Sequence, residues 1–360
     1  MNTLRQSAGS LLVVGLSGHE LTALERAWLK LIAPAGVILF RRNIDNARQT
    51  RALLSNATAL CQSAHLRCVD LEGGTVDRLR DAVAPIPSAQ AVTNTGNTKL
   101  MHRHGELIAK EALAFGFNIT LAPVLDLALP VSANVMGTRA ASAGPEGVIR
   151  YVRAFLAGLA THSVTGCAKH FPGLGGGTLD SHLTTPAIER TWTELWSEDL
   201  APYRALRSEL PMVMVSHATY PKTRGGTSPA TASPFWITTI LQKRIGYRGL
   251  IFSDNMEMGG ILKYMPIEEA AIAAVRAGMH LIEICHSPEL ILRCYESLLH
   301  EAERSIAFRK LLLDRARAGA RLRAARFSSS FSRALTGTQL ETLASTVRQF
   351  GDMIEARQTP

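Results

Sequence analysis

The chain has 360 residues, of which 46% are hydrophobic, and it carries a formal net charge of +9 at pH 7. This apolar content predicts a folded protein with a large core, excludes a disordered or collagen-like chain, and suits a single α/β barrel, a fold that reaches this length. The early apolar run Leu11–Leu16 is too short to span a bilayer and no small-residue cleavage site follows it, so we expect neither a membrane anchor nor a signal peptide.

Eight short apolar runs follow one another along the chain, each separated from the next by a segment long enough for a helix. Alternation of buried strands and helices is typical of a parallel sheet. Eight such units predict an α/β fold of the TIM-type (β/α)8 barrel class, with local irregularity allowed. The predicted strands are Leu11–Leu16, Gly36–Phe40, Leu66–Asp70, Asn118–Pro123, Thr165–His170, Met212–His217, Gly249–Asp254 and His280–Cys285.

Helical patterns fill the intervals between these runs. Glycine follows several of them, at Gly116, Gly246 and Gly278, where helix C-caps are expected. Residues 288–360 predict further helices packed on the barrel and no second α/β unit, so we expect residues 1–360 to form one domain. The predicted helices are Thr22–Ile32, Asn46–Gln62, Leu100–Phe115, Pro145–His162, Thr193–Leu206, Pro234–Ile245 and Ile267–Ala277.

The positive charge and the cysteines restrict the partners and cofactors to be expected. The segment Arg309–Arg326 carries seven basic residues and one acid, but no aromatic residue is interleaved with them, so it predicts a solvated helix face rather than a nucleic-acid site. The five cysteines are odd in number and show no CxxC spacing, and three of them lie in or beside apolar runs. We therefore expect buried, reduced thiols in a reducing compartment and no zinc site.

Ionisable and polar residues stand at or just after the carboxyl ends of the predicted strands. In a barrel, active sites are built on this face. The pattern therefore predicts one site formed by side chains that are far apart in the sequence. The residues are Asp70, Asp126, Lys169, His170, His217 and Asp254.

The segment Lys169–Pro186, KHFPGLGGGTLDSHLTTP, is the most informative part of the chain. It leads from a strand end into a loop in which Gly173–Thr178 holds four glycines, which predicts a flexible segment. Asp180 and His182 then follow two residues apart. A carboxylate near an imidazole can orient the ring and raise its basicity, as a general acid/base near neutral pH requires.

Seven collinear motifs resemble glycoside hydrolase family 3, and specifically its single-domain β-N-acetylglucosaminidases of the NagZ type. The resemblance covers roughly Leu11 to Cys285. One such motif would be weak evidence, but seven in order are specific. The motifs are GVILFRRNI (36–44), DLEGGTVDRLR (70–80), LAPVLDL (121–127), NVMGTRAAS (134–142), KHFPGLGGGTLDSH (169–182), VSHATYP (215–221) and GLIFSDNMEMGGI (249–261).

The resemblance implies three catalytic residues. Asp254 matches the nucleophile that attacks the anomeric carbon, His182 matches the acid/base, and Asp180 matches the partner that polarises the imidazole. Retaining hydrolysis needs an ionised nucleophile and a proton donor on opposite sides of the scissile bond. A neutral imidazole supplies the second role without adding a negative charge beside the glycosyl-enzyme ester.

The resemblance also implies the residues that hold the substrate. Asp70 matches a carboxylate that binds sugar hydroxyls, and Arg78 belongs to the same segment. Arg139 matches an arginine that reaches the substrate, and Lys169 with His170 matches the pair that grips the hydroxyls of N-acetylglucosamine (GlcNAc).

By resemblance, the expected activity is that of a retaining exo-β-N-acetylglucosaminidase (β-N-acetylhexosaminidase). The implied substrate is GlcNAc linked to 1,6-anhydro-N-acetylmuramic acid, with or without peptide, in cytoplasmic peptidoglycan recycling. We expect a small carbohydrate substrate, no cofactor, no metal, no nucleic-acid or membrane partner, and a monomer.

Three other functions stay open. A phosphorylase of the same family would use phosphate as the acceptor, and a β-glucosidase-like enzyme would act on another sugar. A metal-dependent barrel hydrolase, a different class, would use His170, His182, His217 and Asp254, but metal ligands usually stand on rigid strand ends rather than on a glycine-rich loop.

Four further residues have two readings each. We interpret Glu72 as hydrogen-bonded beneath the site rather than as a catalytic acid. His217 is either a core histidine or a residue that lines the site, and Asp126 is a lining residue or a partner for the basic side chains. Met256 is a third candidate for the lining, although packing is the usual role of methionine.

The chain departs from the family pattern at five positions. The family often has Gln at Leu71, Arg at Thr75, His at Leu174 and Asp at Asn255. None of these is a nucleophile or proton-transfer position. The family tends to an acid at His280, which puts the contact of the eighth strand in question.

Overall fold

Eight parallel strands close into a barrel in the part of the chain that the computed structural model describes, residues 3–62, 65–178, 185–226, 228–327 and 331–358. Each strand pairs with its neighbour in sequence, and the last closes on the first. The predicted TIM-type barrel is therefore confirmed, and every strand overlaps its predicted run. In chain order the strands are β1 Leu12–Gly15, β2 Gly36–Leu39, β3 Leu66–Val69, β4 Ile119–Thr120, β5 Thr165–Phe171, β6 Met212–Val215, β7 Leu250–Asn255 and β8 Leu281–Ile284.

Helices surround the barrel and continue beyond it. The glycines predicted as C-caps stand at helix ends with positive φ, for example Gly116 at +93°. The α-helices are Leu4–Gly9, Ala23–Ile32, Ala47–Thr58, Ala89–Asn94, Thr98–Phe115, Ala133–Met136, Pro145–Ala160, Trp192–Glu194, Ala201–Ala205, Gly259–Leu262, Ile267–Ala277, Pro288–Arg304, Ile306–Arg326 and Gly337–Glu355. Shorter 3₁₀ segments are Arg41–Asn43, Pro130–Ser132, Gly137–Arg139 and Ala230–Ala232, and π-helical segments are Leu195–Asp199 and Phe235–Arg244.

The structure differs from the predicted elements in several places: short helices such as Ala89–Asn94 were not predicted, and two further differences concern a predicted helix and the segment after β3. The helix predicted over Thr193–Leu206 is a series of helical pieces, because Pro202 lacks the N–H that a continuous helix would use. A short antiparallel hairpin, Leu71–Gly73 with Val76–Asp77, follows β3 and was not predicted. This hairpin places Glu72 above the end of the barrel, beside the cavity described below.

Helices Thr98–Phe115 and Pro145–Ala160 pack against each other through glycine. A Cβ atom on Gly105 would lie 2.1 Å from the Phe155 carbonyl oxygen, and one on Gly158 would lie 2.2 Å from the His102 oxygen. The two helix backbones therefore touch directly, which fixes the outer layer behind β4 and β5.

The carboxyl-terminal part of helix Ile306–Arg326 covers the amino-terminal end of the barrel, opposite the strand ends that carry the predicted site, whereas helix Gly337–Glu355 packs on helices Ala89–Asn94 and Thr98–Phe115. Leu322 and Phe327 pack against the apolar interior of the barrel. Arg323 is buried and donates to the Ser10 carbonyl oxygen at 3.1 Å, so part of the basic segment is structural rather than solvated. No helix in the described ranges combines the length and the apolar character that crossing a bilayer would require.

Glu111, on helix Thr98–Phe115, is a buried acid that lowers the stability of the fold. It is fully buried, and neither carboxyl oxygen has a partner among the residues that the structure describes. Burial, together with the charge of Asp77, raises the pKa of Glu111 well above its ordinary value. The folded protein therefore keeps a proton that the unfolded chain releases above about pH 4.5, and this group makes the protein less stable as pH rises.

We expect Glu111→Met to stabilise the protein at pH 7.5 by about 1–3 kcal/mol, because it removes a buried group without partners and keeps the side-chain volume. The increase in the free energy of unfolding should be smaller at pH 5, where protonation of the buried carboxyl costs less free energy. Denaturation midpoints at both pH values measure it. Glu106→Met on the same helix, where the carboxylate is partly exposed and paired with Arg103, is the control and should change stability little. A destabilised Glu111→Met protein would contradict this account.

Candidate active site

The carboxyl ends of the barrel strands surround a cavity of about 630 Å³. Six of the residues that the sequence predicts for the site line this cavity. Asp180 and His182 lie outside the described residues. The structure thus brings together, from four separate segments of the chain, the side chains Asp70, Arg78, Arg139, Lys169, His170 and Asp254.

Lys169, at the end of β5, is the centre of a buried ionic network. Its Nζ lies 2.9 Å from Oδ1 of Asp70 and 2.7 Å from Oε1 of Glu72. Burial alone would lower the pKa of Lys169, but the two carboxylates outweigh it and raise that pKa above its ordinary value. The ammonium is therefore permanent, and it presents a fixed positive charge to the cavity.

Two arginines complete the network from the other side. Arg139 forms a bidentate pair with Glu72, with both N···O distances at 2.8 Å, and Arg78 approaches Asp70 at 3.5 Å. Burial would raise the pKa of each carboxyl, but the cations Arg139 and Lys169 lower that of Glu72 to about 2, and Lys169 and Arg78 hold that of Asp70 well below its ordinary value. Both carboxylates are therefore ionised throughout the neutral range.

Glu72 holds both Lys169 and Arg139, which agrees with its interpretation as a residue hydrogen-bonded beneath the site. We expect Glu72→Gln to lower the free energy of unfolding by about 3 kcal/mol at pH 7, since it leaves buried cations without their carboxylate. Because the folded pKa is depressed, this contribution is present above about pH 4.5 and is lost as pH falls towards 2. Thermal unfolding of both proteins at pH 7 and pH 3.5 measures it.

A matched control exists on the surface. Glu209 forms the same bidentate pair with Arg153, at 2.9 and 3.0 Å, but both side chains are exposed. Glu209→Gln should change stability by less than about 1 kcal/mol. Equal losses for the two variants would show that burial of the Glu72 pair contributes nothing.

Asp126 positions His170 and the start of the glycine-rich segment. Its Oδ2 lies 2.6 Å from Nδ1 of His170, and its Oδ1 accepts the Leu174 N–H at 2.7 Å. With Nδ1–H bonded to the carboxylate, the imidazole is fixed in one orientation and Nε2 is the nitrogen left for a ligand. Asp126 itself is buried and is not among the residues that line the cavity, and its hydrogen bonds go to His170 and Leu174 rather than to a basic lysine or arginine side chain.

Close packing accounts for two of the glycines that predicted a flexible segment. A Cβ atom on Gly173, whose φ is +139°, would lie 2.8 Å from the Asp199 carboxyl, and one on Gly175 would lie 2.7 Å from the Leu127 carbonyl oxygen. Gly177 donates to the Leu174 carbonyl oxygen at 2.9 Å. Glycine is needed at 173 and 175 because the chain passes directly over neighbouring atoms, and composition alone does not reveal this.

Asp254 stands near the end of β7 and faces the cavity. Its Oδ1 accepts the Asn255 N–H at 2.8 Å, and the Asn255 side chain accepts the Glu257 N–H at 3.1 Å. Asn255, one of the departures from the family pattern, thus stabilises the turn that follows the strand. His217 lies behind this turn, with Nε2 2.9 Å from the Asn255 carbonyl oxygen and Nδ1 2.8 Å from Thr231.

Two of the candidates for lining therefore have other positions. His217 is fully buried and supports the turn after Asp254, and Met256 is fully buried in the apolar core. Neither lines the cavity formed by the described residues. His280 also differs from expectation, because it lies at the covered end of the barrel and accepts the Ile251 N–H at 3.2 Å. The eighth strand reaches the cavity with Glu283 and, just after its end, Cys285.

Several cavity residues were not predicted. Arg41 and Arg42 follow β2 in the motif FRRN, and Arg42 donates to the carbonyl oxygens of Leu16 and Cys285 at 3.0 and 2.7 Å. Both arginines follow the end of a predicted strand, and this position could have identified them as candidates for the site. For Glu283 the sequence contains no such signal, because a single carboxyl residue in an apolar run does not indicate which face of the strand its side chain occupies.

The described residues hold no group of three or more His, Cys, Asp or Glu side chains arranged to bind a metal ion. The cysteines agree with the prediction of buried thiols: all five are free, and four of them are buried.

Comparison with known proteins assigns the chain to a family. Residues 3–311 match the model of the glycosyl hydrolase family 3 N terminal domain. The chain is 36% identical over 287 residues to a beta-hexosaminidase of Alkalilimnicola ehrlichii, covering 78% of this chain and 82% of that protein. It is 37% identical over 287 residues to a beta-hexosaminidase of Methylococcus capsulatus, covering 79% and 85%.

Solved structures agree with these relatives. The glycoside hydrolase family 3 beta-N-acetylglucosaminidase from Paenibacillus sp. superposes with a TM-score of 0.87 at 28% identity, over 97% of this chain and 69% of that one. NagZ from Neisseria gonorrhoeae, solved in complex with N-trifluoroacetyl-D-glucosamine, gives a TM-score of 0.76 at 29% identity, over 95% and 98% of the two chains.

Proposed function

Since the chain belongs to glycosyl hydrolase family 3 and is a glycosidase, we propose that it is a retaining exo-β-N-acetylglucosaminidase. In this proposal Asp254 attacks the anomeric carbon of a terminal GlcNAc and forms a covalent glycosyl-enzyme. His182, polarised by Asp180, protonates the leaving oxygen and then activates the water that releases the sugar.

One observation carries the proposal: Asp254 faces the same cavity as the network of Lys169, Asp70, Arg78 and His170. A nucleophile for a sugar must sit beside groups that fix the ring, because attack requires the anomeric carbon within about 3–3.5 Å of the carboxylate oxygen. The permanent charges of Lys169 and Asp70 supply both donors and acceptors for hydroxyl groups.

The cavity also suits removal of a terminal unit. Its volume of about 630 Å³ lies within the range of small-ligand pockets, and its floor is closed by the barrel interior. A cavity with a closed floor favours entry of an end unit, which supports exo-cleavage in this proposal.

Asp126 connects sugar binding to the segment that carries the acid/base. One oxygen of its carboxyl holds His170, and the other holds the Leu174 N–H, where the glycine-rich segment begins. We propose that contact between the sugar and His170 favours the arrangement in which Asp180 and His182 reach the scissile bond, as in enzymes whose loops complete the site over the bound substrate.

We propose GlcNAc-1,6-anhydro-N-acetylmuramic acid, with or without peptide, as the physiological substrate, in cytoplasmic peptidoglycan recycling. Arg41, Arg42 and Arg78 line the cavity. Arg41 is paired with Asp81 and Arg78 with Asp70, so the charge of Arg42 is the one that favours an anionic leaving sugar in this proposal. The relatives' names support the hexosaminidase activity and leave the aglycone to experiment. We propose that the enzyme acts as a monomer without a cofactor.

The test is turnover of defined substrates by the purified protein. We expect release of free GlcNAc from GlcNAc-1,6-anhydro-N-acetylmuramic acid, and faster cleavage of aryl β-GlcNAc than of aryl β-glucoside. Mass spectrometry of the product with and without phosphate separates hydrolysis from phosphorolysis. GlcNAc-1-phosphate as the main product would replace the hydrolase by a phosphorylase, and preference for the glucoside would overturn the substrate assignment. Loss of activity with a chelator would favour the metal-dependent class.

A further inference from the structure

Glu283 is a buried acid in the cavity that has no role in the proposed mechanism. It lies on β8, lines the floor of the cavity and is 2% exposed. Its Oε1 is enclosed and has no hydrogen-bond partner among the residues that the structure describes. A buried carboxyl oxygen without a protein partner is costly, and such groups usually serve a ligand, a water or a neighbouring reactive group.

Glu283 and Asp254 both line the cavity, from neighbouring strands. β8 pairs with β7 through an irregular register that shifts between Leu281 and Glu283, and Glu283 stands opposite Asn255, the residue that follows Asp254. Adjacent strands are about 4.8 Å apart, so the two carboxyl side chains that face the cavity from β7 and β8 are neighbours. The backbones are tied as well, since the Met256 N–H donates to the Glu283 carbonyl oxygen at 2.9 Å.

Burial and negative charge decide the protonation state of this acid. Burial raises the pKa of Glu283 well above its ordinary value, and the charges of Asp70, Asp254 and Glu257 act in the same direction. Lys169 is the cation that opposes them, and it is already paired with Asp70 and Glu72. The remaining titratable neighbours are thiols, whose pKa values are raised by burial. They are Cys68, Cys167 and Cys285.

We propose that Glu283 is a positioning residue for Asp254: a neutral carboxylic acid that donates a hydrogen bond, directly or through one water, to the Asp254 carboxylate. This inference rests on the proposed function, in which Asp254 is the nucleophile. Of the three other carboxyl groups that line the cavity, Asp70 already accepts from Lys169 and Arg78, and Glu72 is paired with Lys169 and Arg139. The Asp254 carboxylate accepts only the Asn255 N–H within the described part of the chain, so it has acceptor capacity left.

The arrangement has a chemical consequence. Two neighbouring carboxyls do not both ionise readily, and burial favours the protonated form of Glu283. A donated hydrogen bond also fixes the plane of the Asp254 carboxylate, so that the attacking oxygen is aimed before the sugar arrives. No proton is transferred in this role, and the acid is unchanged at the end of the cycle.

Two variants distinguish a hydrogen-bonding role of the Glu283 side chain from a packing role. Glu283→Gln keeps the shape and an N–H donor, whereas Glu283→Leu keeps a similar volume and removes the donor. With an aryl β-GlcNAc substrate, we expect Glu283→Leu to lower kcat by about three- to tenfold with little change in KM, the loss expected for one hydrogen bond. Glu283→Gln should recover most of that loss. The melting temperature of Glu283→Leu should be at least as high as that of the wild type, because an unsatisfied buried acid has been removed.

Infrared difference spectra test the hydrogen bond without substrate. The wild type minus Glu283→Gln should show the band of a protonated carboxyl at neutral pH, and that band should move in Asp254→Ala but not in Asp314→Ala, an exposed control. A carboxylate band in the wild-type difference, or a protonated band that does not move in Asp254→Ala, would overturn the proposal. So would equal kcat for Glu283→Leu and Glu283→Gln, or a loss confined to KM.

These results are distinguishable from failure of the proposed function. If the enzyme shows no glycosidase activity, the infrared measurement still reports whether Glu283 is protonated and bonded to Asp254. If the enzyme is active and the band is absent, only the role of Glu283 is lost.

Discussion

Replacement of Asp254 by alanine is expected to lower kcat on aryl β-GlcNAc by about 10⁴-fold or more, because removing a covalent nucleophile removes the step that forms the glycosyl-enzyme. The carboxylate is half-buried and faces the cavity, and its Oδ1 is bonded to the Asn255 N–H. Of the other carboxyl groups that line the cavity, Asp70 and Glu72 are both committed to cations, and burial raises the pKa of Glu283.

The measurement is steady-state turnover together with a thermal melt. Asp254→Ala should retain a cooperative melt, because it removes no ion pair present among the described residues, so its inactivity can be assigned to chemistry. Asp314→Ala, on the exposed face of helix Ile306–Arg326, is the matched carboxylate control and should keep wild-type kcat. Activity near that of the wild type in Asp254→Ala would exclude the mechanism.

Replacement of His182 by alanine is expected to have an effect that depends on the leaving group. A general acid contributes about 10²–10⁴-fold when the leaving oxygen needs a proton and little when it leaves readily as an anion. We therefore expect a loss of roughly 10³-fold for an alkyl or sugar aglycone and a much smaller loss in the formation of the glycosyl-enzyme from a dinitrophenyl-type aglycone.

A series of aryl β-GlcNAc substrates of graded phenol pKa measures this dependence. The slope of log kcat/KM against phenol pKa should steepen in His182→Ala and remain unchanged in His300→Ala, an exposed histidine on helix Pro288–Arg304. Parallel lines for the wild type and His182→Ala would remove His182 from the acid role and leave Asp254 unaffected.

The sequence was sufficient for the barrel because its signal is repeated eight times. Each strand is a short apolar run bounded by glycine, proline or polar residues, and the strand–helix alternation admits few topologies. Elements with weak local signals were missed. The hairpin Leu71–Gly73 with Val76–Asp77 is too short to show a periodicity, and the break in the helix predicted over Thr193–Leu206 depends on Pro202.

For the site, too, residues with a repeated signal were predicted and residues with only weak local signals were missed. Asp70, Lys169 and Asp254 were predicted because they follow strands, and the closed barrel alone brings strand ends together. Pairings such as Arg139 with Glu72 join segments 67 residues apart, so no local pattern encodes them. The departure at His280 put the contact of the eighth strand in question, but this residue begins its strand, and only the other end of the strand faces the cavity.

The most direct test of the account is the identity of the residue that becomes covalently attached to the sugar. The protein is incubated with a mechanism-based fluorinated GlcNAc analogue whose glycosyl-enzyme accumulates, and the labelled peptide is mapped by mass spectrometry. The account predicts a single adduct, carried by Asp254 within the segment Gly249–Ile261. An adduct on another residue, or complete turnover of the analogue through a direct displacement that inverts the anomeric centre, would contradict it.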